Sequence, residues 1–274
     1  MRANKPFRFS DLNVFFILVL LAPATPAWCQ QNLFNVPSSD ITLKNKLFFQ
    51  QQVNFLTDQT VALNTTFCYG LGKDFEIGAN FLGVILDPHG PGSVLKTNAD
   101  ATQPPLYPFF TVNLQKAFVL NRTFKVSLGT QAGFSPGMHF GNFTYANLVT
   151  VIPKVQLKLI TGINHGSETI LGPGDLNPLF SSSYDPIGFQ VGIEKEIVHS
   201  NMLLIAEHIS GTHSLGVSVV GLGYHLTDHW VLSAGWQFSS AGNETPNSLV
   251  LEFTFVPSAI IHHSLYHEGH PDID

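Results

Sequence analysis

The chain has 274 residues, of which only 12% are charged and 12% are aromatic, and its formal net charge is −6. The charged fraction is about half the usual share for a soluble domain, and this composition excludes a disordered chain. The acidic balance argues against nucleic acid as a partner. The composition instead favours a protein whose outer surface meets lipid.

The N-terminus has the layout of a secretory signal peptide. Three basic residues within the first eight precede a short apolar stretch, and small residues follow it. This layout predicts a signal peptide over 1–29, with cleavage between Ala24 and Gln30, and therefore export. Because Cys29 lies within that window, only Cys68 is certain to remain, and no internal disulfide is expected.

Alternation of apolar and polar residues dominates the chain from residue 46 onward and predicts β-strands. In one such stretch Phe124 and Val126 alternate with Lys125 and Ser127. Twelve strands are predicted in this way: 46–56, 60–71, 75–86, 107–118, 123–134, 141–152, 155–164, 187–197, 202–209, 214–225, 229–239 and 248–256.

The joins between these strands alternate in length. One set is uniformly tight and lies at 72–74, 120–122, 153–154, 199–201 and 227–228. The other set contains every long join: 87–106, 135–140, 165–186 and 240–247. Outer-membrane barrels alternate short periplasmic turns with longer external loops, so this pattern favours a membrane barrel over a soluble β-sandwich.

No apolar run after the N-terminus is long enough to cross a bilayer as a helix. Strands that cross must close into a barrel, because open strand edges leave unpaired amides in hydrocarbon. The sequence therefore predicts an all-β protein, an up-and-down antiparallel transmembrane β-barrel of about twelve strands over 46–256, in the outer membrane of a Gram-negative cell. The even strand number places both termini in the periplasm, with an N-terminal segment at 30–45 and a His-rich C-terminal tail at 257–274.

Several short stretches resemble a known family. Ala206 to Gly223, followed by Tyr224 to Thr227 and Ala234 to Gln237, resembles the end of barrels in the phenol-degradation meta-pathway outer-membrane family. Tyr69 to Gly72 is similar to an early stretch of the same barrels. The resemblance implies an outer-membrane transporter or pore and supplies no residue-level mechanism.

The inward face of the predicted barrel is rich in small and polar residues, which leaves space in a barrel of about twelve strands and predicts an open or gated lumen. Six charged residues are expected to point inward near the periplasmic end: Glu76, Lys125, Lys158, Glu194, Glu196 and Glu252. They predict either a weakly cation-selective constriction, because carboxylates outnumber lysines, or a salt-bridged belt that braces the barrel.

His208 and Ser210 form a second candidate site, because residues two apart on a strand share a face and the imidazole could activate the hydroxyl. The pair resembles the His-x-Ser pair of outer-membrane phospholipase A and of lipid A deacylases. Those enzymes continue with an Asn-containing stretch, whereas this chain continues with Gly211 and Thr212. No orienting partner is identifiable, and Glu207 belongs to the opposite face. A lipid hydrolase is therefore an alternative, and the main expectation is a protein without catalysis.

The tail carries four histidines that could bind Zn²⁺ or Cu²⁺: His262, His263, His267 and His270. A tail without a fixed scaffold binds metals weakly, so neither a functional metal site nor a cofactor is expected.

The favoured function is passive passage of small solutes across the outer membrane. The expected partners are outer-membrane lipids, the barrel assembly machinery and the small solutes, and the oligomeric state is left open. A non-conducting structural barrel remains a further alternative to the pore.

Overall fold

Twelve long strands dominate the computed structural model, which describes residues 31–90, 92–174, 187–197, 200–243 and 245–257. They are β1 Leu47–Leu56, β2 Val61–Gly72, β3 Phe75–Leu86, β5 Phe109–Val119, β6 Phe124–Phe134, β7 Phe140–Ile152, β8 Leu157–Gly166, β9 Ile187–Glu196, β10 Met202–Ile209, β11 Val217–His225, β12 Trp230–Ser239 and β13 Ser248–Phe255. The two-residue strand β4, Leu95–Lys96, pairs with β3 inside a loop, and the helical turn α1 spans Glu168–Leu171.

The sheet closes on itself. Each long strand pairs antiparallel with the long strands before and after it, and β1 also pairs with β13, where Phe49 lies opposite Phe255. Closure leaves no long strand with a free edge, which is the condition for crossing hydrocarbon with strands. The predicted all-β, up-and-down antiparallel barrel of about twelve strands is confirmed.

The predicted strand boundaries differ from the observed ones by a few residues. The largest differences lie where a turn replaces the first residues of a predicted strand. Residues Pro153–Val155 form a 3₁₀ turn, so β8 begins at Leu157. Residues 210–216 form a loop, in which the amide of Gly216 donates to the His213 carbonyl, so β11 begins at Val217.

The barrel wall alternates between an apolar outer face and a polar inner face. On β6, Leu128 points outward and is 49% exposed, whereas its neighbour Ser127 points inward and is fully buried. Val220 on β11 is likewise outward and exposed. This period-two pattern is the physical source of the fold, because lipid accepts only apolar side chains around the whole circumference.

The two ends of the barrel differ. The turns at one end, the short-turn end, are 73–74, 120–123, 153–156, 197–201 and 226–229. The connections at the other end, the loop end, are 57–60, 87–108, 135–139, 167–186, 210–216 and 240–247. Within the described ranges no helix has the length and hydrophobicity to cross a membrane.

Cys68 lies buried on the inner face of β2 beside Phe48. Cys68 is disulfide-bonded in the full-length chain. The expectation that no internal disulfide is left concerns the chain after signal-peptide cleavage, and it stays a prediction.

Candidate functional site in the barrel lumen

Residues 31–45 precede β1, and we call them the plug segment; its residues 31–42 lie inside the barrel. The segment joins β1 at the short-turn end, where the amide of Asn45 donates to the Gly70 carbonyl over 2.8 Å. Its deepest residues, Phe34 and Val36, are 1% and 0% exposed. The predicted periplasmic segment at 30–45 is therefore corrected: residues 31–42 occupy the lumen, because apolar side chains such as Phe34 are buried there, whereas 43–45 are exposed.

The inner part of this segment is a tight hairpin over 31–38, which we call the plug hairpin. The amide of Leu33 donates to the Val36 carbonyl over 2.8 Å, and the amide of Ser38 donates to the Gln31 carbonyl over 3.0 Å. These bonds pair the two arms and leave Leu33 to Val36 as the tip. A hairpin satisfies part of its own backbone, which allows it to enter a lumen without joining the sheet.

The tip packs against an apolar patch on the lumen wall. This patch, the plug seat, consists of Val149, Ile160, Ile205, Ile209, Val219 and Val250. Leu33, Phe34 and Val36 complete the same buried cluster. Full burial of a large apolar side chain contributes roughly 1.5–3 kcal/mol, so the seat is the main source of plug docking.

Inward glycines make room for the tip. A Cβ added at Gly192 would lie 2.6 Å from Cδ1 of Leu33, and one added at Gly235 would lie 3.1 Å from Cζ of Phe34. The sequence analysis interpreted these small residues as free space in the lumen. In the structure, that space holds the plug hairpin.

Glu207 on β10 holds the tip through its backbone. Its Oε2 accepts from the amides of Phe34 at 3.1 Å and Val36 at 2.9 Å, and its Oε1 accepts from the amide of Asn35 at 2.8 Å. The Asn35 side chain adds a bond of 2.9 Å to Oε1. Four donors thus converge on one buried carboxylate, and hydrogen bonds to a charged acceptor are the strong ones.

Asp40 fixes the outer part of the segment through two lysines of the barrel wall. Its carboxylate contacts Lys125 of β6 at 3.2 Å and pairs with Lys158 of β8. Burial favours the neutral carboxyl, but the charges of Lys158 and Lys125 outweigh burial and hold the pKa of Asp40 below its ordinary value of 3.8. Asp40 is therefore ionised at neutral pH.

Glu76 and Ser127 add two further anchors. The amide of Thr42 donates to Oε2 of Glu76 over 2.6 Å, and Oγ of Ser127 donates to Oγ of Ser39 over 2.6 Å. With the Glu207 and Asp40 contacts, the segment is attached to β3, β6, β8 and β10. The attachment is therefore spread around the lumen.

The remaining lumen wall is lined by buried amides. We call this surface the amide wall, and it consists of Gln50, Gln52, Asn54, Asn80, Asn113 and Gln131, on β1, β3, β5 and β6. Nδ2 of Asn80 donates to Oε1 of Gln131 over 2.6 Å, and Nε2 of Gln52 donates to Oδ1 of Asn54 over 3.3 Å. Asn113 differs, because neither polar atom of its buried side chain has a hydrogen-bond partner among the described residues.

A cavity of about 590 Å³ lies between the plug segment and the short-turn end. We call it the vestibule, since residues 121–123 of one turn and Val256 beyond β13 line its mouth. Its charged lining residues are Asp40, Asp74, Arg122, Lys125, Lys158, Glu194 and Glu252.

The six predicted lumen charges fall into two groups. Glu76, Lys125 and Lys158 contact the plug segment, which the sequence analysis did not consider. Glu194 and Glu252 line the vestibule, and Glu196 is buried at the end of β9. The ion pairs of Lys125 and Lys158 among the described residues are with Asp40 of the plug segment. The predicted salt-bridged belt between the six charges stays a prediction.

The loop end is covered above the plug seat. Leu171 of α1 is buried against Phe143 and Tyr145 of β7, and the amide of Ser214 donates to the Leu171 carbonyl over 2.8 Å. His213 lies buried in the same loop. We call α1 and loop 210–216 the cap. The cap fills the lumen at the loop end, and the plug hairpin fills it further in.

The hydrogen-bond partners of the His213 ring are those of a neutral imidazole. Its Nδ1 accepts from the amide of Leu215 at 3.2 Å, and its Nε2 faces the Ser210 carbonyl at 3.0 Å. Burial disfavours the charged ring and lowers the pKa of His213 to about 4, which the Ser210 carbonyl offsets only in part.

His208 and Ser210 have separate partners. The His208 ring is half-buried on the outward phase of β10, where Nδ1 lies 2.9 Å from Oγ of Ser218 and the ring faces Phe189. Ser210 is buried, and its Oγ accepts from the Phe189 amide over 2.8 Å. The hydroxyl that the His208 ring contacts is therefore that of Ser218, and neither contact joins the ring to the Ser210 hydroxyl as the predicted pair requires.

The four tail histidines, His262, His263, His267 and His270, lie outside the described residues. Within the described ranges, no group of three or more His, Cys, Asp and Glu side chains is placed to hold a metal ion.

The fold is similar to solved outer-membrane barrels. The NanC porin is 9% identical, with a TM-score of 0.50 over 77% of this chain and 99% of that chain. The outer membrane phospholipase A from Escherichia coli is 12% identical, with a TM-score of 0.42 over 78% and 92%. The outer membrane channel DcaP of Acinetobacter baumannii is 13% identical, with a TM-score of 0.31 over 77% and 71%.

No family model matches the chain, and no curated protein matches it. At these identities the likeness to the NanC porin concerns the fold alone, and the two lower TM-scores carry no argument. The chain has the fold of an outer-membrane, porin-like β-barrel. The resemblance to the phenol-degradation family reaches no further than this class.

The residues that the sequence analysis missed are those of the plug segment and Glu207. One signal was available: Leu33, Phe34 and Val36 form an apolar group outside the predicted strands. Glu207 was correctly assigned to the face opposite His208, but nothing in the sequence indicated which donors it would meet.

Proposed function

We propose that the protein is a gated outer-membrane pore for passive passage of small polar solutes. In its resting state the plug hairpin occupies the lumen. When the hairpin leaves the plug seat, the amide wall lines the passage. The observation that carries the proposal is Asn113, a buried lumen amide without a hydrogen-bond partner among the described residues.

A buried amide without a partner is costly, because each unsatisfied polar group loses its contact with water. Asn113 avoids that cost if its side chain meets water or a polar solute in the lumen. Its neighbours on the amide wall, such as Asn80 and Gln131, are polar as well. An amide surface of this kind supports passage of uncharged polar solutes, because it offers donors and acceptors without fixed charge.

The contacts of the plug segment support reversible docking. The Glu207 contacts to the hairpin tip are hydrogen bonds, and the Asp40 contacts are ion pairs in which the Asp40 side chain is partly exposed. The vestibule lies between the plug hairpin and the short-turn end, and it offers room for a displaced chain segment.

A cross-link between Ser39 and Ser127 tests gating directly, because their hydroxyl oxygens are 2.6 Å apart. The double variant Ser39→Cys, Ser127→Cys is expected to be closed in a planar bilayer when oxidised. Mild reduction is expected to restore the channel activity of the unmodified protein. The single variant Ser127→Cys is the control, because it lacks the second introduced cysteine that the cross-link needs.

A non-conducting structural barrel is the competing function, and the filled plug seat favours it. In that case the full-length protein and the reduced double variant both form no channels. Channels that persist in the oxidised double variant would instead show passage without plug movement, which contradicts the gating part of the proposal.

Export and assembly complete the proposal. A signal peptide within 1–29 is removed by cleavage between Ala24 and Gln30. Support comes from the basic start, the short apolar run and the small residues that follow it. The barrel assembly machinery then inserts the barrel among outer-membrane lipids. Mass spectrometry of the mature protein is expected to find an N-terminus within 25–30, and retention of residues 1–20 would contradict this.

A further inference from the structure

The vestibule lining contains more acidic than basic side chains. Its lining carries four carboxylates, of Asp40, Asp74, Glu194 and Glu252, and three cationic side chains, of Arg122, Lys125 and Lys158. Lys125 and Lys158 are both paired with Asp40. Asp74, Glu194 and Glu252 have no such ion pair among the described residues. Glu252 lies on β13.

Glu252 is buried, and its two oxygens differ. Oε1 accepts from the Thr254 hydroxyl over 3.2 Å, whereas Oε2 has no hydrogen-bond partner among the described residues. The residue is 4% exposed and lines the vestibule. A buried carboxyl oxygen in a cavity calls for a hydrogen-bond partner, because a buried polar atom without one has lost its contact with water.

The wall around Glu252 is partly apolar. Phe48 on β1 and Val231 on β12 line the vestibule on the two strands that flank β13. Leu203 and Ile205 of β10 contribute further apolar lining. A carboxylate inside such a surface selects a ligand with one cationic group and an apolar body.

We propose that the vestibule binds a small organic amine. Its ammonium group donates to Oε2 of Glu252, and its apolar body packs against Phe48 and Val231. Inorganic cations fit the site less well, because a single carboxylate supplies few oxygen ligands and the apolar lining supplies none. The inference does not depend on conduction, since binding in the vestibule requires no movement of the plug hairpin.

Calorimetric titration of the full mature protein in detergent tests this inference, with 2-phenylethylamine as the probe. The amine is expected to bind, and 2-phenylethanol, of the same shape without charge, is expected to bind about tenfold or more weakly, because it lacks the charge-assisted bond. The anion 3-phenylpropionate is expected not to bind. This series uses the unaltered protein, so it cannot fail through misfolding.

The variant Glu252→Gln tests the assignment of the site. It is expected to reduce amine affinity about tenfold and to leave the weak affinity for 2-phenylethanol unchanged. Glu168→Gln, in the exposed start of α1, is the matched control and is expected to bind the amine as the unaltered protein does. Equal binding of amine and alcohol, or an unchanged amine affinity in Glu252→Gln, overturns the proposal. Conductance is measured separately, so a failure of the pore leaves this result interpretable.

Discussion

The amide wall and the plug seat line one lumen and differ in chemistry. The plug seat is aliphatic and buries the tip of the plug hairpin. In the amide wall, Asn80 bonds to Gln131 and Gln52 to Asn54, whereas Gln50 bonds to the plug backbone and Asn113 has no partner among the described residues. Both surfaces can occur in one barrel, because lipid constrains only the outward residues of the strands. The difference shows that the outer face determines the barrel, whereas the inner face is free to differ from strand to strand.

The largest expected effect comes from emptying the plug seat. Phe34→Ala removes a fully buried ring and is expected to cost about 3–5 kcal/mol of plug docking. Hydrogen exchange at the amides of residues 33–36 measures this loss. Leu43→Ala, in the same segment at a 37% exposed position, is the control. Unchanged protection in Phe34→Ala would show that the seat does not hold the hairpin.

A comparable effect is expected at the loop end as the pH falls. A pKa of about 4 for His213 in the fold, against an ordinary 6.5, corresponds to about 3 kcal/mol. Because the folded pKa is lowered, this stability is complete above pH 6.5 and is lost progressively as the pH falls to 4. Hydrogen exchange in loop 210–216 is therefore expected to increase over that range.

The variant His213→Asn tests the origin of that pH dependence. It is expected to remove the change between pH 6.5 and 4, whereas His89→Gln, in an exposed loop, is expected to retain it. A pH response that survives in His213→Asn would assign it to another group.

Glu207 connects the polar chemistry of the lumen to the plug hairpin. Glu207→Gln keeps one acceptor for the tip amides but removes the charge, and is expected to cost about 1–3 kcal/mol of docking. The readout is hydrogen exchange at Asn35 and Val36, together with more frequent channel openings. Glu168→Gln serves again as the control, and equal exchange in the two variants would contradict the role of Glu207.

Leucine substitutions at two amides of the amide wall are expected to have different effects on stability and conductance. Asn113→Leu replaces an amide without a protein partner and is expected to change the free energy of unfolding by less than about 1 kcal/mol while reducing conductance. Asn80→Leu breaks the bond to Gln131 and is expected to cost about 1–3 kcal/mol. Urea unfolding and single-channel recording separate the two. Unchanged conductance in Asn113→Leu would remove this wall from the passage.

The smallest expected effect concerns ion preference. Glu194 and Glu196 lie towards the short-turn end, where carboxylates exceed cationic groups. The double variant Glu194→Gln, Glu196→Gln is expected to lower a weak cation preference, measured as the reversal potential in a KCl gradient. The preference is expected to fade at high salt, because charges are screened beyond about 10 Å at 0.1 M. An unchanged reversal potential would place the selective region elsewhere.

The sequence was sufficient for the barrel. Alternation such as Leu128 beside Ser127 is local, has a fixed period and repeats in every long strand, so strand number, order and facing could be predicted without coordinates. The alternating lengths of the joins also predicted that one end of the barrel carries short turns and the other carries the long loops. Even β10, where alternation is weak, was predicted at 202–209, and the structure places it at Met202–Ile209.

The contents of the lumen could not be predicted, because they depend on contacts between residues far apart in the chain. Glu207 meets the amide of Val36 and Lys158 meets Asp40, and no local pattern relates these residues. Small inward residues such as Gly192 suit an open pore and a seat for Leu33 equally well. Which of the two holds is decided by whether another segment of the chain can bury its apolar residues there, and that depends on the closed barrel providing the space.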